Sequence, residues 1–236
     1  MVTRERQKFD QKEFNRFVID NGVVGFFENP ITLKSGRNSH FYANWRKIVE
    51  DAFLTEQLVD RFLAFMESKA LEPATIYGVP EGATKLGVLA QAEWARSQAD
   101  YFPGSHILAM GRGKPKEHGE PGDKFFVGVP RGPVVIVEDV TTTGGSLIET
   151  IKALQESNIE IVAAIGLTNR NEKTNDGKSV AQAISDLGVT YHSMSSALEL
   201  LPEIIAKTQP KDDIVDAIVA EFNTYGEAPL HLLRTD

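Results

Sequence analysis

Residues 134–146, Val-Val-Ile-Val-Glu-Asp-Val-Thr-Thr-Thr-Gly-Gly-Ser, constrain the fold more than any other stretch of the chain. Val134, Val135, Ile136 and Val137 form a β-branched apolar run after Pro133. Such a run predicts a strand buried on both faces, at the centre of a parallel sheet. The strand is expected to stop at the two acids, Glu138 and Asp139. Beyond the loop, Leu147, Ile148, Ile151 and Leu154 recur at helical spacing, which predicts a helix capped at Ser146. A strand-loop-helix unit of this kind turns backbone N–H groups and the positive end of a helix dipole toward one point, an arrangement suited to phosphate.

Gly144 and Gly145 let the backbone approach a ligand closely, and Thr142, Thr143 and Ser146 add hydroxyl donors. Glu138 and Asp139 would repel a phosphate in the same site, so they are expected to face sugar hydroxyls or a metal beside it. The implied ligand is a phosphorylated sugar. The stretch lacks the Gly-Lys-Ser/Thr ending of a nucleotide P-loop and the spaced glycines of a dinucleotide fold. A plainer alternative is a buried strand followed by two solvated acids and an ordinary Gly-Gly turn. That alternative leaves unexplained why all four features fall in this order within 13 residues.

The motif resembles the 5-phosphoribosyl 1-pyrophosphate signature of the type I phosphoribosyltransferases. The resemblance implies an α/β fold with an open, mainly parallel twisted sheet flanked by helices. At 236 residues the chain is long enough for one such domain with appendages. A net charge of −8 argues against nucleic acid or an anionic membrane as the main partner. The absence of cysteine excludes disulfides, thiol nucleophiles and cysteine zinc sites. No apolar run has the length of a signal core or a membrane span, so a cytoplasmic location is expected.

Asp10 followed by Glu13 predicts a capped helix through Phe14, Phe17 and Val18, stopped at Asn21-Gly22. Residues 31–45 predict two short strands around a Ser35-Gly36-Arg37-Asn38 turn, which taken alone would be a surface hairpin. Leu33-Lys34-Ser35-Gly36-Arg37, with Ser39, Tyr42 and Asn44, resembles the N-terminal hood of the orotate phosphoribosyltransferases. A helix over 52–69, a strand over 75–80, a helix reaching Trp94 and a third strand over 106–110 are expected next. The segment 111–123 is rich in Gly and Pro and locally basic, fitting a mobile anion-binding loop or a solvated connection.

Within that segment Arg112, Lys116 and His118, followed by Gly119, match the Arg-x-x-x-Lys-x-His-Gly catalytic loop of the orotate family. Relatives often carry lysine where Gly82 stands and a basic residue where Gly113 stands. A buried strand over 161–168 delivers Asn169-Arg170 to the same sheet edge; in the family an Asp-Arg pair is found there, and its arginine grips the carboxylate of orotate. Further helices are expected over 179–187, 198–205 and 214–222, with a strand at 189–192 carrying a structural His192. Residues after Gly226 are expected to be peripheral. The division implied is a helix and hood (1–50), the α/β core (51–200) and a C-terminal helical extension (201–236).

The resemblance implies magnesium-dependent transfer of phosphoribosyl from 5-phosphoribosyl 1-pyrophosphate to orotate, giving orotidine 5-monophosphate. It assigns the 5-phosphate to Thr142, Thr143, Gly144, Gly145 and Ser146, and the ribose hydroxyls to Glu138 and Asp139, the latter also acting in catalysis. Arg112, Lys116 and His118 would act on the leaving pyrophosphate, and Lys34, Tyr42 and Arg170 would serve the base side. Magnesium would be held through substrate and water, and a homodimer would share the catalytic loop. Two alternatives remain: a purine or other-base phosphoribosyltransferase, and a regulator that binds the same sugar pyrophosphate.

Overall fold

The computed structural model describes residues 6–113 and 125–232. Helix α1 (Gln11–Asp20) starts as predicted: the Glu13 amide donates to Asp10 Oδ1 at 2.8 Å, which satisfies one unpaired N–H of the first turn. Phe14, Phe17 and Val18 form its buried stripe. Strands β1 (Val24–Thr32) and β2 (Asn38–Ala43) then form the antiparallel hood hairpin. β1 begins well before the expected Ile31 because its register breaks between Phe26 and Ile31, around Pro30, and hides the alternation.

A short helix α2 (Arg46–Val49) leads to α3 (Ala52–Ser68), which is capped by Asp51 and buries Leu58, Phe62, Phe65 and Met66. Strand β3 (Thr75–Gly78) is followed by α4 (Thr84–Arg96). The third strand expected over 106–110 is not part of the main sheet. Only β4 (Met110–Gly111) forms, paired antiparallel with β5 (Phe126–Val127) in a separate ribbon. A Cβ at Gly111 would lie 2.2 Å from Tyr77 Oη, so the ribbon crosses the end of β3 instead of lying alongside it.

Strand β6 (Val134–Thr141) leads into α5 (Gly145–Glu156), and β7 (Ile161–Asn169), α6 (Val180–Ser185) and β8 (Thr190–Ser196) follow. The main sheet is parallel, in the order β3-β6-β7-β8. β6 does not stop at the acids. β3 ends at Gly78 opposite Val137, whereas β7 continues beside β6, pairing Glu138 with Gly166 and Thr141 with Asn169. Residues 138–141 therefore overhang β3 at the carboxyl edge, where ligands bind in open parallel sheets. Helix α5 begins at Gly145, not Ser146, because Gly144 takes the left-handed conformation at φ 73° and turns the chain one residue earlier.

The pleat divides the core. Val135 and Val137 join the hood, α1, α3 and α4 on one face, while Val134 and Ile136 meet α5 and α6 on the other. Helices α7 (Ala197–Thr208) and α8 (Asp212–Tyr225) complete the first layer, with Phe222 of α8 stacked on Phe41 of β2 at 6.0 Å. Among the described residues after Gly226, which were expected to be peripheral, two are tied to the core. Leu230 is buried in that core, and the Glu227 amide donates to Asn171 O at 2.8 Å.

Candidate functional site

The overhang of β6 and the first turn of α5 form one wall of a cleft of about 210 Å³, lined by Lys34, Ser35, Glu138, residues 140–146 and Glu149. Thr142, Thr143, Gly144, Gly145 and Ser146 thus come together as the sequence predicts, at a helix N-terminus of 12 residues. Lys34 reaches across from the hood, its Nζ donating to Ser146 Oγ at 2.8 Å. The neighbouring Ser35 Oγ is buried and has no hydrogen-bond partner among the described residues.

The two acids have different neighbours, yet their side chains stay within hydrogen-bond reach of each other at the strand end. Glu138 lies on the α5 side and is buried; burial first, and the Asp139 charge second, push its carboxyl up to about 9, against the pull of Lys34. At neutral pH Glu138 therefore carries a proton and can donate as well as accept a hydrogen bond. Asp139 lies on the α4 side, against Gly82, where a Cβ would stand 2.2 Å from its Oδ2. A lysine at position 82 would have to displace Asp139, which gives a steric reason for the glycine. Lys85 does not take that place, since its Nζ donates to Val49 O at 3.2 Å.

A second cleft of about 250 Å³ adjoins the first, sharing Lys34, Ser146 and Glu149 and adding Tyr77, Pro80, Arg112 and Gly113. Arg112 lines it while its Nε donates to Phe126 O at 3.3 Å. Burial pushes the Tyr77 phenol up to about 12, so it stays protonated. Among the described residues, the atoms nearest a Cβ at Gly113 belong to the flexible end of Glu81, at 2.6 Å, which a side-chain shift can move. Lys116 and His118 lie outside the described residues.

Arg170 departs from expectation. It is 1% exposed and lines neither cleft. Its Nε donates to Glu172 at 2.7 Å, Nη1 to Phe41 O at 3.1 Å, and Nη2 to Ser39 Oγ at 3.0 Å and Glu221 at 2.7 Å. Four of its five N–H donors are thus held inside the protein. Asn169 is inward too, with Oδ1 accepting from the Asn171 amide at 2.9 Å. Tyr42 lies on β2 opposite Gly25 and lines neither cleft, on the strand face opposite Phe41.

Some lining residues escaped the sequence reading. Glu149 follows Ser146 by one helical turn, a spacing that already places both on one face. Tyr77 was hidden as one more apolar strand residue, and nothing local marks Glu221 as a partner of Arg170. Among the described residues, no three His, Asp or Glu side chains converge to hold a metal ion.

No protein-family model matches the chain. An orotate phosphoribosyltransferase from Bradyrhizobium diazoefficiens is 33% identical over 185 residues, which span 75% of this chain and 89% of that protein. The crystal structure of orotate phosphoribosyltransferase from Francisella tularensis superposes with a TM-score of 0.65 at 22% identity, covering 91% of this chain and all of that one. The Mycobacterium tuberculosis enzyme in complex with 5-phospho-α-D-ribosyl 1-diphosphate gives a TM-score of 0.53 at 21% identity, covering 80% of this chain and 98% of that one. With a glycine-gated hydroxyl loop, an acid pair overhanging a parallel sheet and this degree of identity along most of its length, the chain belongs to the orotate phosphoribosyltransferase family.

Proposed function

We propose that the chain transfers the phosphoribosyl group of 5-phosphoribosyl 1-pyrophosphate to N1 of orotate, forming the N1–C1 glycosidic bond as the bond from C1 to pyrophosphate breaks and the N1 proton is given up to pyrophosphate or solvent. The observation that carries this reading is the convergence of the hood lysine Lys34, the buried acid Glu138 and the α5 loop on one cleft. Backbone amides of 143–146 and the hydroxyls of Thr142, Thr143 and Ser146 would hold the 5-phosphate, fixing the sugar for attack. Lys34 would exchange its Ser146 contact for a ligand oxygen at the boundary of the two clefts.

Positive charge grows on the sugar ring as pyrophosphate departs. Glu138 and Asp139 flank the strand end, where their oxygens suit the ribose hydroxyls and the negative potential of Asp139 favours the cationic ring. Arg112 lines the adjoining cleft, and with Lys116 and His118 of the same sequence motif it would receive the leaving group.

Glu138, the adjacent Asp139 and the loop hydroxyls offer hard oxygen groups that would suit magnesium held largely by substrate and water. Glu138 and Asp139 would hold its water shell, and the ion would neutralise charge on the pyrophosphate. A homodimer sharing the catalytic loop is part of the proposal; exposed Leu108, Val127 and Val129 at the ribbon offer apolar surface for it. A cytoplasmic location belongs to the same reading and is compatible with a chain that has no cysteine.

The test is an assay of the purified protein with sugar pyrophosphate and magnesium, following loss of orotate absorbance, with adenine, hypoxanthine and uracil in parallel. Consumption of orotate that disappears in Lys116→Ala is the expected result. Binding of the sugar pyrophosphate without turnover of any base would overturn the enzymatic reading.

A further inference from the structure

The buried cluster around Arg170 begins and ends on the hood. Arg37 donates through Nη1 to Glu172 Oε2 at 2.8 Å and through Nη2 to Lys173 O at 2.8 Å, and its guanidinium lies 4.4 Å from the centre of the Tyr225 ring. The other oxygen of Glu172 accepts from Arg170 Nε at 2.7 Å. Arg170 in turn meets Glu221 Oε1 at 2.7 Å, and Ser39 Oγ donates to Glu221 Oε2 at 2.9 Å. The Arg170 guanidinium also lies 3.7 Å over the Phe41 ring. Two arginines and two glutamates thus balance in charge, and they tie the hood to the loop after β7 and to α8.

The hood end of this ring is coupled to the cleft through a tight turn. The Leu33 amide donates to Arg37 O at 2.8 Å and the Gly36 amide to Leu33 O at 2.9 Å, so holding Arg37 holds Lys34 and Ser35 between them. Lys34 is itself exposed and long, and without a fixed base its ammonium would lose its placement over Ser146. Buried ion clusters contribute little net stability against an apolar packing of the same volume, whereas they do fix geometry.

We propose that Glu221 of α8 is a positioning residue for the base side of the site: through Arg170, Glu172 and Arg37 it fixes the turn that carries Lys34, and Arg170 serves inside the protein as the link. The kinetic part of the inference rests on the orotate-transfer reading; the clamp itself does not.

The test is a double-mutant cycle on the full chain, combining Glu221→Ala with Lys34→Ala, alongside Glu221→Gln. In the otherwise wild-type chain, Glu221→Ala should raise KM for orotate about tenfold, the effect of losing one charge-assisted hydrogen bond. In the Lys34→Ala background it should change KM less than twofold, since its target is gone. Glu221→Gln, which keeps the shape and an acceptor for Arg170, should recover most of the loss. Additive effects, or a lowered unfolding midpoint with KM unchanged, would overturn the proposal.

Amide hydrogen exchange of residues 33–43 provides a readout independent of turnover. It should quicken in Glu221→Ala relative to the sheet amides, and unchanged protection there would also overturn the proposal. If the wild-type protein consumes no orotate, the proposed function fails, while the exchange result still decides the clamp. If Glu221→Ala does not fold, Arg37→Ala, which cuts the hood end of the same chain of contacts, takes its place in the cycle with Lys34→Ala, and a coupling that is absent there overturns the proposal.

Discussion

Two charged regions of this molecule, a few residues apart along the same sheet edge, are built on opposite terms. Around Glu138 the partners come from one short stretch and one reaching lysine, and burial together with the neighbouring Asp139 keeps the carboxyl protonated against the pull of Lys34. Around Arg170 the partners come from the hood, the loop after β7 and α8, and each charge meets an opposite one at 2.8 Å or less. The open cluster is arranged for something that arrives from outside. The closed cluster is arranged for the protein's own interior, which is why an arginine matching a ligand position by sequence is withdrawn from the cleft.

The largest expected effect breaks the closed side. Arg170→Ala leaves Glu172 and Glu221 buried without their counter-charge and should destabilise the protein by about 3–5 kcal/mol, read from urea unfolding. A loss under about 1 kcal/mol would place the arginine among ordinary surface ion pairs and end the contrast.

The next prediction sharpens the open side. Glu138 is held near 9 in the fold against an ordinary value of 4.5, so the unfolded chain releases its proton first. Stability should therefore fall as pH rises through that window, and Glu138→Gln should flatten this part of the pH–stability curve while lowering turnover. Parallel curves for the two proteins would show that the carboxyl is not buried in neutral form.

Gly144→Ala should cost about 1–2 kcal/mol, because position 144 needs φ 73° and a Cβ there would lie 3.1 Å from Val180 Cγ1. Its sugar-phosphate affinity should drop as well, measured by calorimetry. Lys34→Ala should weaken binding about tenfold and leave the unfolding midpoint in place, since this side chain is exposed. The smallest effect is expected from Lys211→Ala, whose partner Glu28 lies equally in solvent; no change in midpoint or kinetics should be resolved.

What the sequence made legible follows the same division. The run at 134–137, the Thr and Gly residues of the loop and the Asp10 cap each act through neighbours a few residues away, so local pattern was enough to place them. Three features were hidden because their causes are distant. β6 extends past its acids only because β7 runs on beside it; β4 leaves the sheet because Gly111 crosses Tyr77; and β1 is masked by its broken register at Pro30. Arg170 illustrates the limit most clearly, since Ser39 lies 131 positions before it and Glu221 lies 51 after. No window of sequence contains both.

That separation also has a consequence in time. Ser39 and Glu221 are joined across 182 positions, and a chain is made from its N-terminal end at roughly 5–20 residues per second, so the hood waits roughly 10–40 s for its last hydrogen-bond partner. During that interval the sheet strands from β3 to β8 can already pair, while Arg37 and Ser39 have no α8 to meet. The phosphate loop is thus ready before the wall that faces the base. A nascent chain halted short of residue 221 should bind the sugar phosphate and lack a fixed hood.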